Sequence, residues 1–336
     1  MNNNSISALM VGYGSIGKRH TRNLRTLGVD DIYLCDPSID SLLSESDLEN
    51  SSGVFLDIDS ALSSVNFDIA LVCSPPYLHV EQTKKLLSSN VNVFVEKPLS
   101  NTLENIEDLV ALSKNKNKVV QIGYNWRFYK GLKFIQEIIN NGSIGRILWV
   151  RSEFGKYLPE WRPEQDYRNN YTAIKSEGGG IIFDASHELD YLKWLFGDID
   201  RVFCVSDRLS DLDIDVEDTA SIILNFSSGC IGEVHLDFIQ RASTKSCKIV
   251  GSEGTLFWDY NGKESTINIF DANTKKTEIF DMSCDPNDKY ISELDSFLDC
   301  VKNKTSPLVD LESAVGTLKV IMAAYESSDK GVPVYI

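Results

Sequence analysis

The stretch ISALMVGYGSIG, residues 6–17, decides the fold of the first third of this chain. An apolar run from Ile6 to Val11 leads into a glycine-rich loop, and a helical pattern of apolar residues follows from Ile16 to Leu27. A glycine loop between a strand and a helix is the setting in which a dinucleotide-binding fingerprint occurs. The stretch therefore predicts the first βαβ unit of a doubly wound parallel sheet.

The loop itself predicts how a pyrophosphate would be bound. Gly12 allows a tight turn, Gly14 lets the backbone approach the phosphates, and Gly17 lets the helix pack close to the strand. Ser15 and Ile16 open the helix, whose first N–H groups have no partner within the helix and would face the phosphates. We expect all five residues to bind a dinucleotide cofactor.

An acidic residue at the end of the second predicted strand indicates which dinucleotide is bound. The strand Asp31 to Cys35 is followed by Asp36, nineteen positions after Gly17. A carboxylate there accepts hydrogen bonds from the ribose 2′-hydroxyl of NAD, and it would repel the 2′-phosphate of NADP. Asp36 therefore favours NAD, although Ser38 and Arg19 could accommodate a phosphate and leave NADP open. The alternative role for Asp36 is an N-cap of the following helix.

The composition limits the class of protein. The chain has 336 residues, of which 42% are hydrophobic and 24% charged, so it can bury a sizeable core in two domains. Its net charge of −16 argues against binding to nucleic acid or to an anionic membrane, because polyanions would be repelled. No apolar run approaches the roughly twenty residues of a membrane span, and the Asn-rich start lacks the regions of a signal peptide. We therefore expect a cytoplasmic protein, and its seven scattered cysteines are expected to be reduced.

The pattern of apolar residues changes character after residue 123. Residues 1–123 alternate short apolar strands with helical patterns, including one from Ile39 to Leu48, which predicts a Rossmann domain with helices on both faces of its sheet. Residues 124–336 combine helices, one of them from Ala185 to Phe196, with period-two strands that predict a large, mostly antiparallel sheet. This second domain is predicted to bind substrate. The free face of its sheet is a natural surface for a homodimer or homotetramer.

At this point the chain resembles the family of glucose-fructose oxidoreductase, inositol dehydrogenase and rhizopine-catabolism proteins (Gfo/Idh/MocA) over nearly its full length. The order and spacing of several short motifs carry the resemblance. They are the glycine loop, Cys73-Ser74-Pro75-Pro76-Tyr77 with His79, Glu96-Lys97-Pro98, Gly123-Tyr124-Asn125 with Arg127, the glycines 178–180 followed by an acid and His187, Val250-Gly251-Ser252-Glu253-Gly254, and the tail Ala323 to Ser327. The resemblance implies an NAD(P)-dependent sugar or polyol oxidoreductase, and it includes Arg127 among the substrate-binding residues.

The motif Glu96-Lys97-Pro98 follows an apolar strand, and the resemblance assigns its lysine a place beside the nicotinamide and the substrate hydroxyl. The physical argument agrees, because a nearby ammonium stabilises the alkoxide that develops when hydride leaves a carbinol. Glu96 is expected to position Lys97 or the nicotinamide, and Ser74 and Pro75 to line the cofactor. His79 is either a cofactor neighbour or a helix-packing residue. The alternative for Lys97 is a surface lysine paired with Glu96.

A second constellation surrounds the histidine of Asp184-Ala185-Ser186-His187. A continuous helix would present Asp184, His187 and Asp190 on one side, at i, i+3 spacing. His187 is our candidate for the base that takes the hydroxyl proton, and Asp184 for the acid that sets its tautomer. Many family members separate the acid and the histidine by one more residue, which leaves the role of Asp184 open. A structural histidine is the alternative, and no metal is expected because the four histidines show no ligand spacing.

The segment from Lys156 to Tyr171 gathers cations and aromatic residues in an otherwise acidic protein. Arginines grip carboxylates or phosphates, and aromatic faces suit sugar rings or a nucleobase. The predicted substrate contacts in this segment are Tyr157, Trp161, Arg162, Arg168 and Tyr171. The alternative is a surface loop that is stabilised by internal salt bridges or that contacts another subunit. The segment is also similar to that of family members associated with nonulosonate (sialic-acid-like) surface-sugar synthesis.

These observations predict an oxidoreductase that moves hydride between NAD(P) and a secondary carbinol or ketone of an anionic sugar, such as a sugar acid or a nucleotide-activated sugar. Two alternatives remain open. The first is a dehydrogenase of a neutral polyol, such as an inositol or a free aldose. The second, of another class, is a catalytically silent NAD-sensing regulator, against which the presence of both Lys97 and His187 counts.

Overall fold

The computed structural model describes residues 6–336, apart from the side chains of residues 46 and 48. The chain divides into two compact units. The first takes in the chain up to Asn125 and the segment Tyr290–Val315, and the second takes in Trp126–Lys289 and Gly316–Ile336. The predicted domain boundary after residue 123 lies two residues before Asn125, where the chain first passes from one unit to the other. A single cut there does not account for the segment Tyr290–Val315, which the sequence patterns had assigned to the second domain.

The first unit is built on six parallel strands. They are β1 (Ser7–Val11), β2 (Asp31–Cys35), β3 (Gly53–Phe55), β4 (Ile69–Val72), β5 (Asn92–Val95) and β6 (Val120–Ile122). Within the described residues their order across the sheet is β3-β2-β1-β4-β5-β6, and all neighbours are parallel. Its helices are α1 (Ser15–Thr26), α2 (Ile39–Leu42), α3 (Glu45–Asn50), α4 (Ile58–Ser64), α5 (His79–Ser88) and α6 (Ile106–Lys116). The predicted doubly wound parallel fold is confirmed.

The core of this unit explains why its strands read as continuous apolar runs. Strand β1 is buried at every position, because helices cover both faces of a doubly wound sheet. Leu24 of α1 packs into the same core as Met10 and Phe94. Burying such a side chain contributes about 1.5–3 kcal/mol.

The parallel strands bring three chemically distinct segments to one edge of the sheet. Val11, Val72 and Val95, the last residues of β1, β4 and β5, lie side by side in the register. The residues that follow them are Gly12, Cys73 and Glu96. The glycine loop and the Glu96-Lys97 motif therefore share the carboxyl edge of one sheet, the edge at which doubly wound folds bind their ligands.

The second unit is built on a larger sheet. Its strands are β7 (Ile147–Gly155), β8 (Ile199–Asp207), β9 (Thr219–Phe226), β10 (Ile231–Asp237), β11 (Thr244–Gly251), β12 (Gly254–Asn261), β13 (Glu264–Asp271), β14 (Thr277–Asp281) and β15 (Val334–Tyr335). In the described part of the chain the order is β14-β13-β12-β11-β7-β10-β9-β8-β15, and only β7 and β10 pair in parallel. The predicted large, mostly antiparallel sheet is confirmed.

Helices complete this unit. They are α7 (Lys130–Asn140), α8 (Ile181–Asp184) and α9 (His187–Phe196), whereas α10 (Asp288–Asn303) and α11 (Leu311–Lys330) contribute residues to both units. Alternate residues of the sheet are buried, as in β9, where Ala220, Ile222 and Leu224 are covered and Ser221 and Ile223 are exposed. This is the period-two pattern of a sheet with one covered face.

Two predicted helices are interrupted. The predicted helix from Ile39 to Leu48 is two short helices, α2 and α3, with Leu43 extended between them. The predicted helix from Ala185 to Phe196 begins only at His187, because α8 ends at Asp184 and its C-cap Ala185 has left helical geometry. Asp184 and His187 therefore belong to different helices, which corrects the expectation that one helix presents Asp184, His187 and Asp190 on one side.

Candidate active site

The glycine loop has the conformation that its residues predict. Gly12 has a φ of +88°, and a Cβ there would lie 2.7 Å from backbone atoms of Cys73 and Ser74. A Cβ on Gly17 would overlap the carbonyl oxygen of Gly12. A Cβ on Gly14 would have no described heavy atom within 4 Å. Packing therefore requires Gly12 and Gly17, whereas Gly14 borders open space through which a phosphate could approach the backbone.

Helix α1 starts directly after this loop. It runs for 12 residues from Ser15, its N-cap is Gly14, and it has no acidic residue in its first turn. Ser15 and Ile16 thus occupy the positively polarised end of a helix of full length. That end attracts an anionic group such as a pyrophosphate.

Asp36 organises the turn after β2. Its Oδ2 accepts a hydrogen bond from the Tyr13 N–H (2.9 Å), and its Oδ1 accepts one from the Ser38 N–H (2.8 Å). A carboxylate has about four acceptor positions, so both oxygens can still accept bonds from ribose hydroxyls. The glycine loop, the start of α1 and Asp36 together fit a dinucleotide. Arg19, the cation considered for a 2′-phosphate, instead lies over the ring of Tyr290 at 4.6 Å.

Hydrogen bonds fix the side chains of Ser74 and His79. The Ser74 hydroxyl donates to Oε1 of Gln82 (2.6 Å), and Pro75 precedes the turn that leads into α5. His79 is buried, with Nδ1 2.8 Å from the carbonyl oxygen of Pro98 and Nε2 2.8 Å from that of Ser74. Burial lowers the pKa of this imidazole. Of the two roles left open, the geometry favours packing, because the ring links the β4 loop to the segment after Lys97.

Glu96 is the most constrained charged residue at this edge. Only 8% of it is exposed, its Oε1 lies 2.6 Å from Nε2 of His20, and its Oε2 accepts the Lys97 N–H at 3.1 Å. Burial opposes ionisation, yet the hydrogen bond from His20 and the charge of Lys97 hold the pKa of Glu96 below its ordinary value. Lys97 itself is half-buried. Glu96 is thus fixed against the backbone of Lys97, as the expected positioning role requires.

Sequence reasoning missed His20. It lies on the buried face of α1 together with Gly17, Thr21 and Leu24. A histidine on the covered side of an amphipathic helix was the signal that could have revealed it, since a buried polar side chain needs a partner.

In the second unit, Asp184 is held by two hydroxyl groups. Tyr171 donates to its Oδ1 (3.3 Å) and Thr172 to its Oδ2 (2.8 Å). His187, half-buried, begins α9 three residues later. Tyr171, predicted as a substrate contact, therefore also orients the acid next to the candidate base.

The triple glycine before α8 makes room for a carboxylate. Gly180 has a φ of +114°, and a Cβ there would overlap the carboxylate of Glu217. Glu217 accepts hydrogen bonds from the Ile182 N–H (3.1 Å) and from the Tyr325 hydroxyl (2.7 Å), and burial raises its pKa. Glu217, which sequence reasoning also missed, anchors the helix that carries Asp184.

Arg127 makes a buried ion pair. Its Nε donates to Oδ2 of Asp190 (2.8 Å) and its Nη2 to Oδ1 (2.6 Å), and the Thr317 hydroxyl also donates to Oδ1 (3.1 Å). Arg127 is 3% exposed, and Asp190 is fully buried. The expected substrate contact by Arg127 is therefore replaced by a structural role, because its guanidinium is directed at a carboxylate in the core.

A second buried pair lies next to His187. Lys245 of β11 donates to Glu188, and its ammonium lies 4.2 Å from the centre of the Trp126 ring. Lys245 lies on the covered face of the sheet, where alternation predicts an apolar residue. Sequence reasoning did not identify it for that reason.

The segment from Lys156 to Tyr171 forms a pocket in the second unit. Side chains around this pocket include Trp161, Arg162, Gln165, Tyr167, Asn170 and Thr172. Arg162 is half-buried, and its guanidinium has no hydrogen bond or ion pair with any residue that the structure describes. Thr172, which lines this pocket, also donates its hydroxyl to Asp184.

The other predicted contacts in this segment have partners of their own. Trp161 donates its indole N–H to the carbonyl oxygen of Lys156 (2.9 Å). Arg168 is exposed and pairs with Asp166, with an Nη2 to Oδ2 distance of 2.6 Å. The Arg241 guanidinium lies 3.5 Å from the centre of the Tyr157 ring. Arg168 therefore shows the internal salt bridge considered as the alternative, whereas Arg162 does not.

No group of three or more His, Cys, Asp or Glu side chains within residues 6–336 is arranged to hold a metal ion. None of the helices described there is long and apolar enough to cross a membrane.

Comparisons with known proteins give matches along nearly the whole chain. Residues 6–124 match the family model for the NAD-binding Rossmann fold of the Gfo/Idh/MocA oxidoreductases, and residues 136–336 match the model for their C-terminal alpha/beta domain. Myo-inositol 2-dehydrogenase of Thermotoga maritima is 27% identical over 332 residues, which cover 96% of each chain. A 2,7-anhydro-N-acetylneuraminate hydratase of Mediterraneibacter gnavus is 26% identical over 194 residues, 57% of this chain and 50% of that one.

A solved structure extends the comparison to the fold. The WlbA dehydrogenase of Bordetella pertussis, solved in complex with NADH and UDP-GlcNAcA, has a TM-score of 0.83 to this chain at 21% identity, and the match covers 99% of both. This chain belongs to the Gfo/Idh/MocA oxidoreductase family, and its residues 6–124 are an NAD-binding Rossmann domain.

Proposed function

We propose that this NAD-dependent oxidoreductase acts on a secondary carbinol, or the corresponding ketone, of an anionic sugar such as a sugar acid or a nucleotide-activated sugar. The observation that carries the proposal is the guanidinium of Arg162. It borders an aromatic pocket, and among the described residues it has no ion-pair partner, in a chain of net charge −16. A half-buried cation without a counter-charge is costly, so it favours a ligand that brings a carboxylate or a phosphate.

The surroundings of Arg162 suit a sugar. Trp161 and Tyr167 supply aromatic faces, and Gln165 and Asn170 supply amide groups beside them. Aromatic rings pack against the apolar face of a sugar, and amides exchange hydrogen bonds with its hydroxyl groups. Such a mixture of apolar walls and a few polar groups is typical of small-molecule sites.

The proposed chemistry assigns one task to each side chain. The ammonium of Lys97 stabilises the oxygen of the carbinol as it becomes an alkoxide, and His187 accepts its proton. Asp184 accepts hydrogen bonds from Tyr171 and Thr172 and so stabilises the position of the segment that leads to His187. Bound NAD supplies the hydride acceptor. Gly12, Gly14, Gly17, Ser15, Ile16 and Asp36 would bind it, with Ser74, Pro75 and Glu96 nearby.

Two similar proteins support an acidic substrate. One is named for 2,7-anhydro-N-acetylneuraminate, and the other was solved with UDP-GlcNAcA. Both names denote sugars that carry carboxylate or phosphate groups. The similarity of the segment from Lys156 to Tyr171 to that of nonulosonate-related family members points to the same class of substrate.

A neutral polyol is the second candidate substrate. The observation in its favour is the 27% identity to a myo-inositol 2-dehydrogenase across 96% of both chains. On that alternative Arg162 would face solvent or another subunit, and an anionic group on the substrate would make no difference to turnover.

A panel of substrates separates the two candidates. We would follow NADH formation and consumption with acidic sugars, nucleotide-activated sugars and neutral polyols, each with NAD and with NADP. Turnover confined to the anionic compounds is the expected result. Turnover on neutral polyols with equal kcat/KM would overturn the anionic proposal, and absence of turnover throughout, despite NAD binding, would overturn both.

A further inference from the structure

A buried histidine lies directly behind the Glu96-Lys97 motif. His20 has no exposed surface, and its Nε2 lies 2.6 Å from Oε1 of Glu96. Its ring is fixed edge-on against Phe94, at 5.2 Å between centres, and against Tyr290, at 6.1 Å. The imidazole therefore has one polar contact and a rigid aromatic surround, so its orientation towards Glu96 is set by packing.

The other ring nitrogen identifies the tautomer. Nδ1 of His20 is buried and has no hydrogen-bond partner among the residues that the structure describes. A proton on Nδ1 would be a buried N–H without an acceptor, which costs roughly 1–3 kcal/mol. The ring N–H that has an acceptor is therefore the one on Nε2, which donates to Glu96. A hydrogen bond donated to the carboxylate favours its ionised form.

Glu96 is held on its remaining sides as well. Its Oε2 accepts the backbone N–H of Lys97, and a Cβ on Gly123 would come within 3.2 Å of the carboxylate atoms. The carboxylate therefore occupies the space that any larger residue at position 123 would need. It cannot turn away from Lys97 without losing the bond from His20.

We propose that His20 is a positioning residue for Lys97, which it influences through Glu96. The Nε2–H of His20 keeps Glu96 ionised and directed at Lys97, and the carboxylate keeps the Lys97 ammonium protonated. The catalytic consequence rests on the proposed role of Lys97, since an ammonium stabilises an alkoxide only while it carries its charge. Glu96 and His20 need not touch the substrate for this effect.

Other titratable groups face the pair from neighbouring elements. They are Arg19 of α1, Cys73 after β4, His79 of α5, and Tyr290 and Glu293 of α10. Burial raises the pKa of Cys73 and of Tyr290 and lowers that of His79, so all three are uncharged near neutral pH. These three groups therefore supply no charge that could replace that of Glu96 near Lys97, and Arg19 and Glu293 are the same in every variant of the test.

Competitive acetylation of the full-length protein tests this coupling without any substrate. Only the neutral amine reacts with acetic anhydride, so the extent of Lys97 labelling against pH, read by mass spectrometry, gives the midpoint of its titration. The exposed Lys302 serves as the internal reference. The variants are His20→Leu, which removes the donor, His20→Gln, whose amide N–H can replace it, Glu96→Gln, and the double variant His20→Leu/Glu96→Gln.

We expect the Lys97 midpoint to fall by roughly one pH unit in Glu96→Gln, where a neighbouring negative charge is lost, and to fall also in His20→Leu, where the carboxylate is no longer held at Lys97. His20→Gln should keep the wild-type midpoint, and the double variant should show no further fall, since His20 acts only through Glu96. An unchanged midpoint in His20→Leu, or an additive fall in the double variant, would overturn the proposal. If His20→Leu does not fold, Glu96→Gln still decides, because an unchanged midpoint there also overturns it.

Turnover then separates this proposal from the proposed function. With a substrate found in the panel, kcat should fall in His20→Leu and recover in His20→Gln, with little change in the KM for NAD. If no substrate is turned over, the proposed function fails, whereas the acetylation midpoints still test the link from His20 to Lys97. A wild-type kcat in a His20→Leu variant whose Lys97 midpoint has fallen would overturn the catalytic consequence alone.

Discussion

Lys97 is the residue on which the proposed chemistry depends most. Replacing it with alanine removes the ammonium that would stabilise the developing alkoxide, and we expect kcat to fall by about 10²- to 10⁴-fold. The dissociation constant for NAD should change little, because the glycine loop and Asp36 are intact. Steady-state kinetics and an NAD titration would measure the two effects, and near-normal turnover would contradict the assignment.

Asp36 carries the preference for NAD. Asp36→Asn removes the negative charge and keeps the size of the side chain, and its single amide oxygen can accept one of the two N–H groups, of Tyr13 and Ser38, that the carboxylate accepts. Because the charge would repel a 2′-phosphate, we expect the ratio of kcat/KM for NAD to that for NADP to fall by about tenfold or more. The check is the same assay with both cofactors, and an unchanged ratio would show that Asp36 does not discriminate between them.

The residues of the glycine loop were predictable from the sequence, whereas the partners of several others were not. Gly12 is needed for a tight turn and Gly17 for close packing of the helix on the strand. Both requirements are local, so the strand-loop-helix pattern of the sequence reveals them. His20 and Arg127 pair with Glu96 and Asp190, which lie 76 and 63 positions away along the chain. Contacts of that separation depend on the tertiary fold, and local patterns do not encode them.

At the scale of elements, strands were easier to predict than the ends of helices. Strand β2 has the predicted bounds, because Ile32, Leu34 and Cys35 form a buried apolar run in a parallel sheet. The interruption at Ala185 was missed, since Ala185 and Ser186 are both compatible with a helix, and what ends α8 is the tertiary setting of Asp184 and Glu217.

The buried pair between α9 and the turn at Arg127 gives a prediction about stability. Arg127→Met leaves the Asp190 carboxylate in the core without its counter-charge, and we expect the free energy of unfolding to fall by about 3–5 kcal/mol. The double variant Arg127→Met/Asp190→Leu should recover much of that loss, because two apolar side chains replace the pair. Urea unfolding measures both. If Arg127 were instead a substrate contact, the stable double variant would show a raised KM, which this account does not predict.

At the scale of the whole molecule, the open face of the second sheet predicts a homo-oligomer. Ile223 of β9, Phe257 of β12 and Ile279 of β14 are 38%, 40% and 71% exposed on this face. They share a row of the register with the polar side chains of Glu233, Arg151, Lys248 and Asn268. Apolar side chains aligned on an open sheet face favour burial against a second copy.

Light scattering after size exclusion would test this. We expect a dimer or tetramer for the wild type and a shift towards monomer for Phe257→Glu, because a charge would replace an exposed aromatic ring on this face. Leu209→Glu, at a 67% exposed position outside the sheet, is the matched control and should leave the mass unchanged. A monomeric wild type at micromolar concentration would contradict the prediction.

The central claim is that Arg162 recognises an anionic group on the substrate. The matched pair Arg162→Ala and Arg168→Ala tests it, because both arginines belong to the same segment but only Arg168 is paired with Asp166. The measurement is the KM of each variant for an acidic sugar from the panel and for its neutral analogue. We predict that Arg162→Ala raises the KM for the acidic sugar by about 10- to 100-fold, the effect of losing a charged hydrogen bond, and leaves that for the neutral analogue unchanged. Arg168→Ala should change neither by more than about twofold, since an exposed pair contributes little. An unchanged KM for the acidic sugar in Arg162→Ala would contradict the account.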